Sequence, residues 1–161
     1  MEESLLEYLH FELVNYCVND KKDNESQPLD SSKSISTLEY VGFNTGYRLI
    51  ERLTKEMPRF KDELDTVKFL CTDFWSAIFK KSVDNLRTNH QGIYVLQDNS
   101  FRFLKQISNS SQYLELAPKY VVFSCGILRG SLANLGIQAI VTAEIVSTMP
   151  SCKFHIQVKS H

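Results

Sequence analysis

The run Val121-Val122-Phe123-Ser124-Cys125-Gly126-Ile127-Leu128-Arg129-Gly130-Ser131-Leu132 leaves few folds open to this chain. It follows Pro118, whose fixed φ and missing N–H suit the first turn of a helix. It closes near Leu135-Gly136, where glycine takes a left-handed cap. At 100° per residue its apolar side chains point in almost every direction, so the helix needs neighbours all round. It is too short and interrupted to span a bilayer, which takes about 20 apolar residues. Gly126 and Gly130 lie one turn apart on one face, where a second backbone can approach closely. Gly42 and Gly46 repeat that spacing in an earlier segment. The pattern predicts two helices packed tightly through their glycines.

Two neighbours of these glycines invite a chemical reading. Cys125 in so apolar a helix should have a raised thiol pKa and act in packing, not as a nucleophile. Arg129 must snorkel out or meet a carboxylate or carbonyl, and a structural role suits it best.

The rest of the chain divides around this helix. Residues 4–18 read as a first helix with Leu5, Leu6, Leu9, Leu13, Tyr16 and Cys17 on one broad apolar face and Phe11, Val14 and Val18 on another. A helix with two apolar faces wants two neighbours, and a terminal one finds the second in its own core or in another subunit. Residues 19–36 read as a flexible polar loop. Ser36-x-x-Glu39 gives a capping box opening a second helix that Pro58 ends. Residues 60–81 form a third helix. Ile93–Leu96 and Phe101–Leu104 flank Asp98-Asn99 as a hairpin. Ile137–Val146 and Lys153–Val158 make another, the last strand alternating with Phe154, Ile156 and Val158 on one side. Runs of helices apart from hairpin-joined strands favour an α+β fold: helices on a four-stranded antiparallel sheet of two hairpins, with the glycine helix buried.

With 161 residues and net charge −1 the chain reads as a single domain, 1–161, without a field that draws nucleic acid or anionic membrane. Cys17, Cys71, Cys125 and Cys152 form no Cys-x-x-Cys pair and read as reduced, cytosolic thiols. The internal Lys61-Asp62-Glu63-Leu64 and the two Asn-x-Ser sequons are chance matches on that reading. His10, His90, His155 and His161 lack metal-ligand spacing, and no phosphate-binding glycine loop or nucleophile elbow is present. The residues predict no metal, no cofactor and no enzyme.

The segments Tyr40-Val41-Gly42-Phe43-Asn44-Thr45-Gly46-Tyr47-Arg48-Leu49-Ile50-Glu51-Arg52, Phe74-Trp75, Asn85–Asp98, Ala117-Pro118-Lys119-Tyr120 and Cys125-Gly126-x-x-Arg129-Gly130 resemble the TRAPP small-subunit family, in its subunit-six branch. The resemblance runs from about Ser4 to the C-terminus, apart from residues 19–36. It implies the same α+β fold and a scaffold role. Small subunits of that family pair side by side through their first two helices, and subunit six pairs with subunit three. The complex is a vesicle tether and nucleotide-exchange factor for a Rab GTPase in ER-to-Golgi and Golgi transport. The chain would then touch the GTPase only indirectly and reach Golgi and ER membranes peripherally. Leu5, Leu9, Leu13 and Tyr16 of the first helix, with Tyr40, Phe43 and Tyr47 of the second, are the expected partner surface. Subunit three carries an acylated cysteine after its second helix; the matching Met57-Pro58-Arg59-Phe60 has none. No covalent lipid is expected, and any channel should be absent or plugged by residues such as Phe60, Phe69 and Trp75. The rival reading is a module that binds a hydrophobic ligand in an internal pocket.

Overall fold

The computed structural model describes residues 2–19, 30–105, 107–108, 113–146 and 150–160. Helix α1 (Glu2–Asn19) precedes the long α2 (Asp30–Thr54). Next comes a helical run of α3 (Glu63–Phe69), a π-turn (Leu70–Phe74) and α4 (Trp75–Phe79). Strands β1 (Asn85–Thr88) and β2 (Ile93–Asp98) follow, then the short α5 (Arg102–Lys105), α6 (Tyr113–Asn134), β3 (Ala139–Ile145) and β4 (Cys152–Val158). The strands form one antiparallel sheet in the order β1-β2-β4-β3, so two hairpins meet through β2 and β4. The α+β class and the two-hairpin sheet agree with the sequence reading.

Four local expectations change. Phe101–Leu104 is not the partner of β2; the partner is Asn85–Thr88, joined through a turn in which His90 and Gly92 take positive φ of 59° and 83°. Phe101, Phe103 and Leu104 are all buried, so what looks like strand alternation is a short helical plug in the core. Helix α2 begins at Asp30, so residues 30–36 of the expected loop are helical, while residues 20–29 lie outside the described residues. Ser36 Oγ donates back to the Ser32 carbonyl at 2.9 Å and Thr37 Oγ1 to Lys33 at 2.8 Å, the bonds of hydroxyls inside a helix, not of a cap. The helix ends at Thr54, before Pro58. The third helix starts at Glu63 behind a true N-cap, Asp62, whose carboxylate accepts from the Asp65 N–H at 2.7 Å. Helix α6 begins at Tyr113, so Pro118 lies inside it at an exposed position instead of opening it.

Helix α6 lies between the sheet and α2. At each of Gly42, Gly46, Gly126 and Gly130 an added Cβ would fall well inside contact distance of a carbonyl on the opposite helix: Phe123, Ile127, Glu39 and Phe43 respectively. The two backbones therefore touch directly, and Ser131 Oγ sits at the crossing, its single proton shared between the Ile127 carbonyl at 2.8 Å and the Gly46 carbonyl of the opposite helix at 3.1 Å. Beneath the sheet, Trp75, Phe79, Phe101, Phe103 and Phe154 pack with ring centroids 4.6–6.1 Å apart. Asp98, fully buried at the end of β2, pins this cluster. Its carboxylate accepts from Trp75 Nε1 at 2.9 Å, Lys81 Nζ at 2.6 Å and the Ser100 N–H at 3.0 Å.

Candidate partner-binding surface

Helix α1 packs on the body with a narrow stripe. His10, Val14 and Cys17 are buried, and Leu6, Phe11, Leu13 and Val18 flank them against the core. These positions recur at three- and four-residue intervals, the spacing of one helical face. His10 is the centre of the stripe. Its ring stacks on Phe103 with centroids 3.8 Å apart and 9° between planes, and Tyr120 and Phe123 complete its cage. Burial drives its pKa down to about 3, against a hydrogen bond to the Tyr120 backbone that pulls the other way. The imidazole is therefore neutral and serves as an aromatic spacer, with Nε2 left without a partner. A Glu7–Arg102 ion pair fastens the helix to α5, and Ser34 Oγ donates to the Cys17 carbonyl at 2.7 Å, tying α1 to α2.

The opposite side of α1 carries Leu5, Tyr8, Leu9 and Tyr16, each 64–71% exposed. On α2, Tyr40 and Tyr47 are 67% and 42% exposed, two turns apart. Large apolar side chains held out to water in a row along one helix are the feature that marks a contact surface. The sequence-predicted interface residues thus divide. Leu5, Leu9, Tyr16, Tyr40 and Tyr47 lie outside, whereas Leu13 is half-buried against this chain's own core. Phe43 is half-buried too: Arg129 sits over its ring at 4.6 Å and Tyr47 packs beside it with centroids 6.2 Å apart. Tyr8 was missed by the sequence reading, although its i+3 spacing from Leu5 was visible. His10 was missed because a hydropathy count scores it as polar.

The structural group around the glycines carries no reactive chemistry. Arg129 Nε lies 3.0 Å from Glu39 Oε1, an ion pair across the α2–α6 crossing in which both side chains remain over a third exposed. That is the carboxylate partner an arginine in an apolar helix requires. Glu39 is therefore a cross-helix partner and not a cap. Burial, with Glu39's charge adding, pushes the Cys125 thiol up to about 12. Cys71 is likewise pushed to about 12 by burial, and Cys152 is raised as well. Thiols so protonated are poor nucleophiles. Among the described residues no cluster of His, Cys, Asp or Glu could hold a metal, and no helix is long and apolar enough to cross a membrane.

Of the residues expected to plug a channel, Phe60 and Phe69 pack together with centroids 5.1 Å apart, while Trp75 belongs to the separate cluster under the sheet. Two clefts of about 570 and 420 Å³ share Met57, Pro58, Arg59 and Phe60, and both open to the surface.

The family described as transport protein particle (TRAPP) component matches residues 6–159. The chain belongs to the TRAPP family. It is 55% identical over 158 residues to the zebrafish (Danio rerio) trafficking protein particle complex subunit 6b, with 98% of each chain covered. It is 54% identical, at the same coverage, to the human subunit 6B. The human subunit 6A is 49% identical over 154 residues, covering 96% of this chain and 95% of that one. Among solved structures, a TRAPP subunit 3 from Naegleria fowleri, covalently bound to palmitic acid, superposes with a TM-score of 0.73 at 15% identity. It covers 97% of this chain and 96% of the other. The TRAPP fold therefore persists where little sequence does.

Proposed function

We propose that this chain is a non-catalytic scaffold subunit of a TRAPP vesicle-transport complex, and that it pairs with the complex's subunit three. The observation that carries the reading is the row Leu5, Tyr8, Leu9 and Tyr16, held out to solvent by a helix whose other face is anchored through His10, Val14 and Cys17. Tyr40 and Tyr47 extend the surface onto α2, with Leu13 and Phe43 as supports beneath it. Aromatic anchors of this kind often dominate binding energy, at about 2 kcal/mol or more when buried centrally in an interface. Kinship with subunits 6A and 6B supports membership of the complex, and the likeness of the fold to a subunit three supports a pseudo-symmetric pair. On this reading the chain supports tethering and Rab nucleotide exchange between ER and Golgi without touching the nucleotide, and it reaches membranes only through the complex.

The same reading holds the chain to be free of covalent lipid. Met57-Pro58-Arg59-Phe60 supplies no thiol, and the four cysteines are buried elsewhere. An intact mass equal to that of the bare polypeptide is expected after expression in eukaryotic cells; a mass increase matching an acyl chain would refute this.

Co-expression with subunit three tests the pairing. A 1:1 complex should elute from size exclusion, and Leu9→Asp should abolish it while leaving the circular dichroism of the chain unchanged. Co-elution of the Leu9→Asp chain with its partner would overturn the proposed surface.

A further inference from the structure

The two edges of the sheet are built differently. The β1 edge is four residues long, with Asn85 and Arg87 exposed. The β3 edge is seven residues long, with Ala139, Val141, Ala143 and Ile145 pointing inward. Backbone pairing with β4 uses the even positions. The Lys159 N–H donates to Gln138 and the Val146 N–H to Ser151, which fixes 138, 140, 142, 144 and 146 as the residues bonded to β4. The N–H and C=O groups of 139, 141, 143 and 145 therefore point away from the sheet. Among the described residues, no backbone group bonds to them.

Proteins guard such an edge with proline, a bulge, an inward charge or a covering segment. β3 contains no proline, its register runs without a bulge, and its inward residues are uncharged. Its one acid, Glu144, points outward and meets His155 at 3.1 Å. Alongside the edge lies an open groove of about 270 Å³, lined by Ile35 of α2, Val121, Val122 and Cys125 of α6, and Val141 and Ala143 of β3. Glu39, also on α2, stands at its rim. One side of the groove is thus a row of free backbone donors and acceptors, and the other is α2.

We infer that this groove receives an extended segment of another polypeptide as a fifth strand, paired with β3 at Val141, Ala143 and Ile145. Its alternate side chains are apolar and rest on Val121, Val122 and Ile35. A strand is the occupant that satisfies a row of free peptide groups and an apolar floor at once. With α2 as the facing wall, the groove suits a single extended chain better than the sheet of a second copy. Glu39 is paired with Arg129 and Glu144 with His155 on the outer face of the sheet, so the groove offers the incoming strand peptide groups and apolar surface in place of a free charge. The site lies apart from the exposed row on α1, so it stands or falls independently of the proposed pairing through that helix.

The test uses the full chain and a panel of seven-residue peptides with Val, Ile or Leu at alternate positions and Thr or Lys between them. At least one peptide should bind saturably and slow amide exchange at Val141, Ala143 and Ile145, but not at Leu86 or Arg87 of β1. Methylating that peptide's own pairing nitrogens should weaken binding about tenfold or more, since each lost bond leaves a peptide group unpaired. Ala143→Pro should do the same, because it removes an outward N–H and spares the β4 ladder. Unchanged amide exchange of β4 in this variant verifies that it is folded. Saturable binding by none of the panel, equal binding of the methylated peptide, or a light-scattering dimer formed through β3 without peptide would each overturn the inference.

Discussion

Acid should loosen α1 through a single residue, His10. Its ring is 2% exposed, sealed by Phe103, Tyr120 and Phe123, and titrates near 3 in the fold against 6.5 in the free chain. The unfolded state therefore binds a proton over the whole interval in which the native state does not, so stability rises with pH there. His10's contribution is complete above pH 6.5 and declines as the pH falls toward 3. Each pH unit below 6.5 is worth about 1.4 kcal/mol, so lowering the pH from 7 to 5 removes about 2 kcal/mol. In a domain of this size that lowers Tm by roughly 4–8 °C. Urea titrations at pH 7 and 5, followed by the fluorescence of the single tryptophan, buried Trp75, read the loss directly. Other groups titrate in the same window, so the decisive comparison is with His10→Leu, which cannot take up the proton. The variant should lose about 2 kcal/mol less than the native chain between the two pH values. Equal losses in both would show that His10 is not the neutral, sealed ring described here.

Gly130→Ala would drive a Cβ into the Phe43 carbonyl, so α2 and α6 must part at their contact; a loss of about 2–4 kcal/mol of unfolding free energy by urea titration is expected. Gly136→Ala, at φ 84° but with open space around it, should cost only about 1 kcal/mol by the same assay. Asp98→Ala leaves Trp75 Nε1 and the Ser100 N–H without their acceptor, while Lys81 Nζ keeps Asp84 at 2.8 Å; it should cost about 3 kcal/mol, of which Lys81→Met should restore little. A loss largely restored by Lys81→Met would instead place the cost in the lysine. Ellman's reagent at pH 8 should leave all four thiols unmodified until denaturant is added; rapid reaction of any one would contradict its burial.

How far the sequence carried depended on which signal each element used. The β4 strand was legible because Phe154 and Ile156 alternate cleanly with Lys153, His155 and Gln157 about the sheet. β1 was not, since Asn85-Leu86-Arg87-Thr88 is a polar edge whose strand character comes from its turn and from β2. Phe101–Leu104 imitates a strand in hydropathy, yet Asp98 turns the chain by accepting from the Ser100 N–H and drops Phe101 and Phe103 into the core. The start of α2 was placed late because Ser36 and Thr37 are equally good at capping a helix and at bonding back within one. The candidate surface was partly visible. Leu5, Leu9 and Tyr16 follow from helical spacing, but assigning Leu13 and Cys17 to the same face required His10 to be outside. Only the three-dimensional packing reveals a histidine serving as a core aromatic, or Phe43 lying beneath Arg129.

Amide hydrogen exchange of this chain, alone and in complex with subunit three, tests whether the exposed row on α1 and its extension on α2 form a pairing surface. Slowed exchange concentrated in residues 5–16 and 40–47, with β1 unchanged, is the predicted result. Protection confined to the sheet, or a stable complex with α1 exchanging as fast as in the free chain, would contradict it.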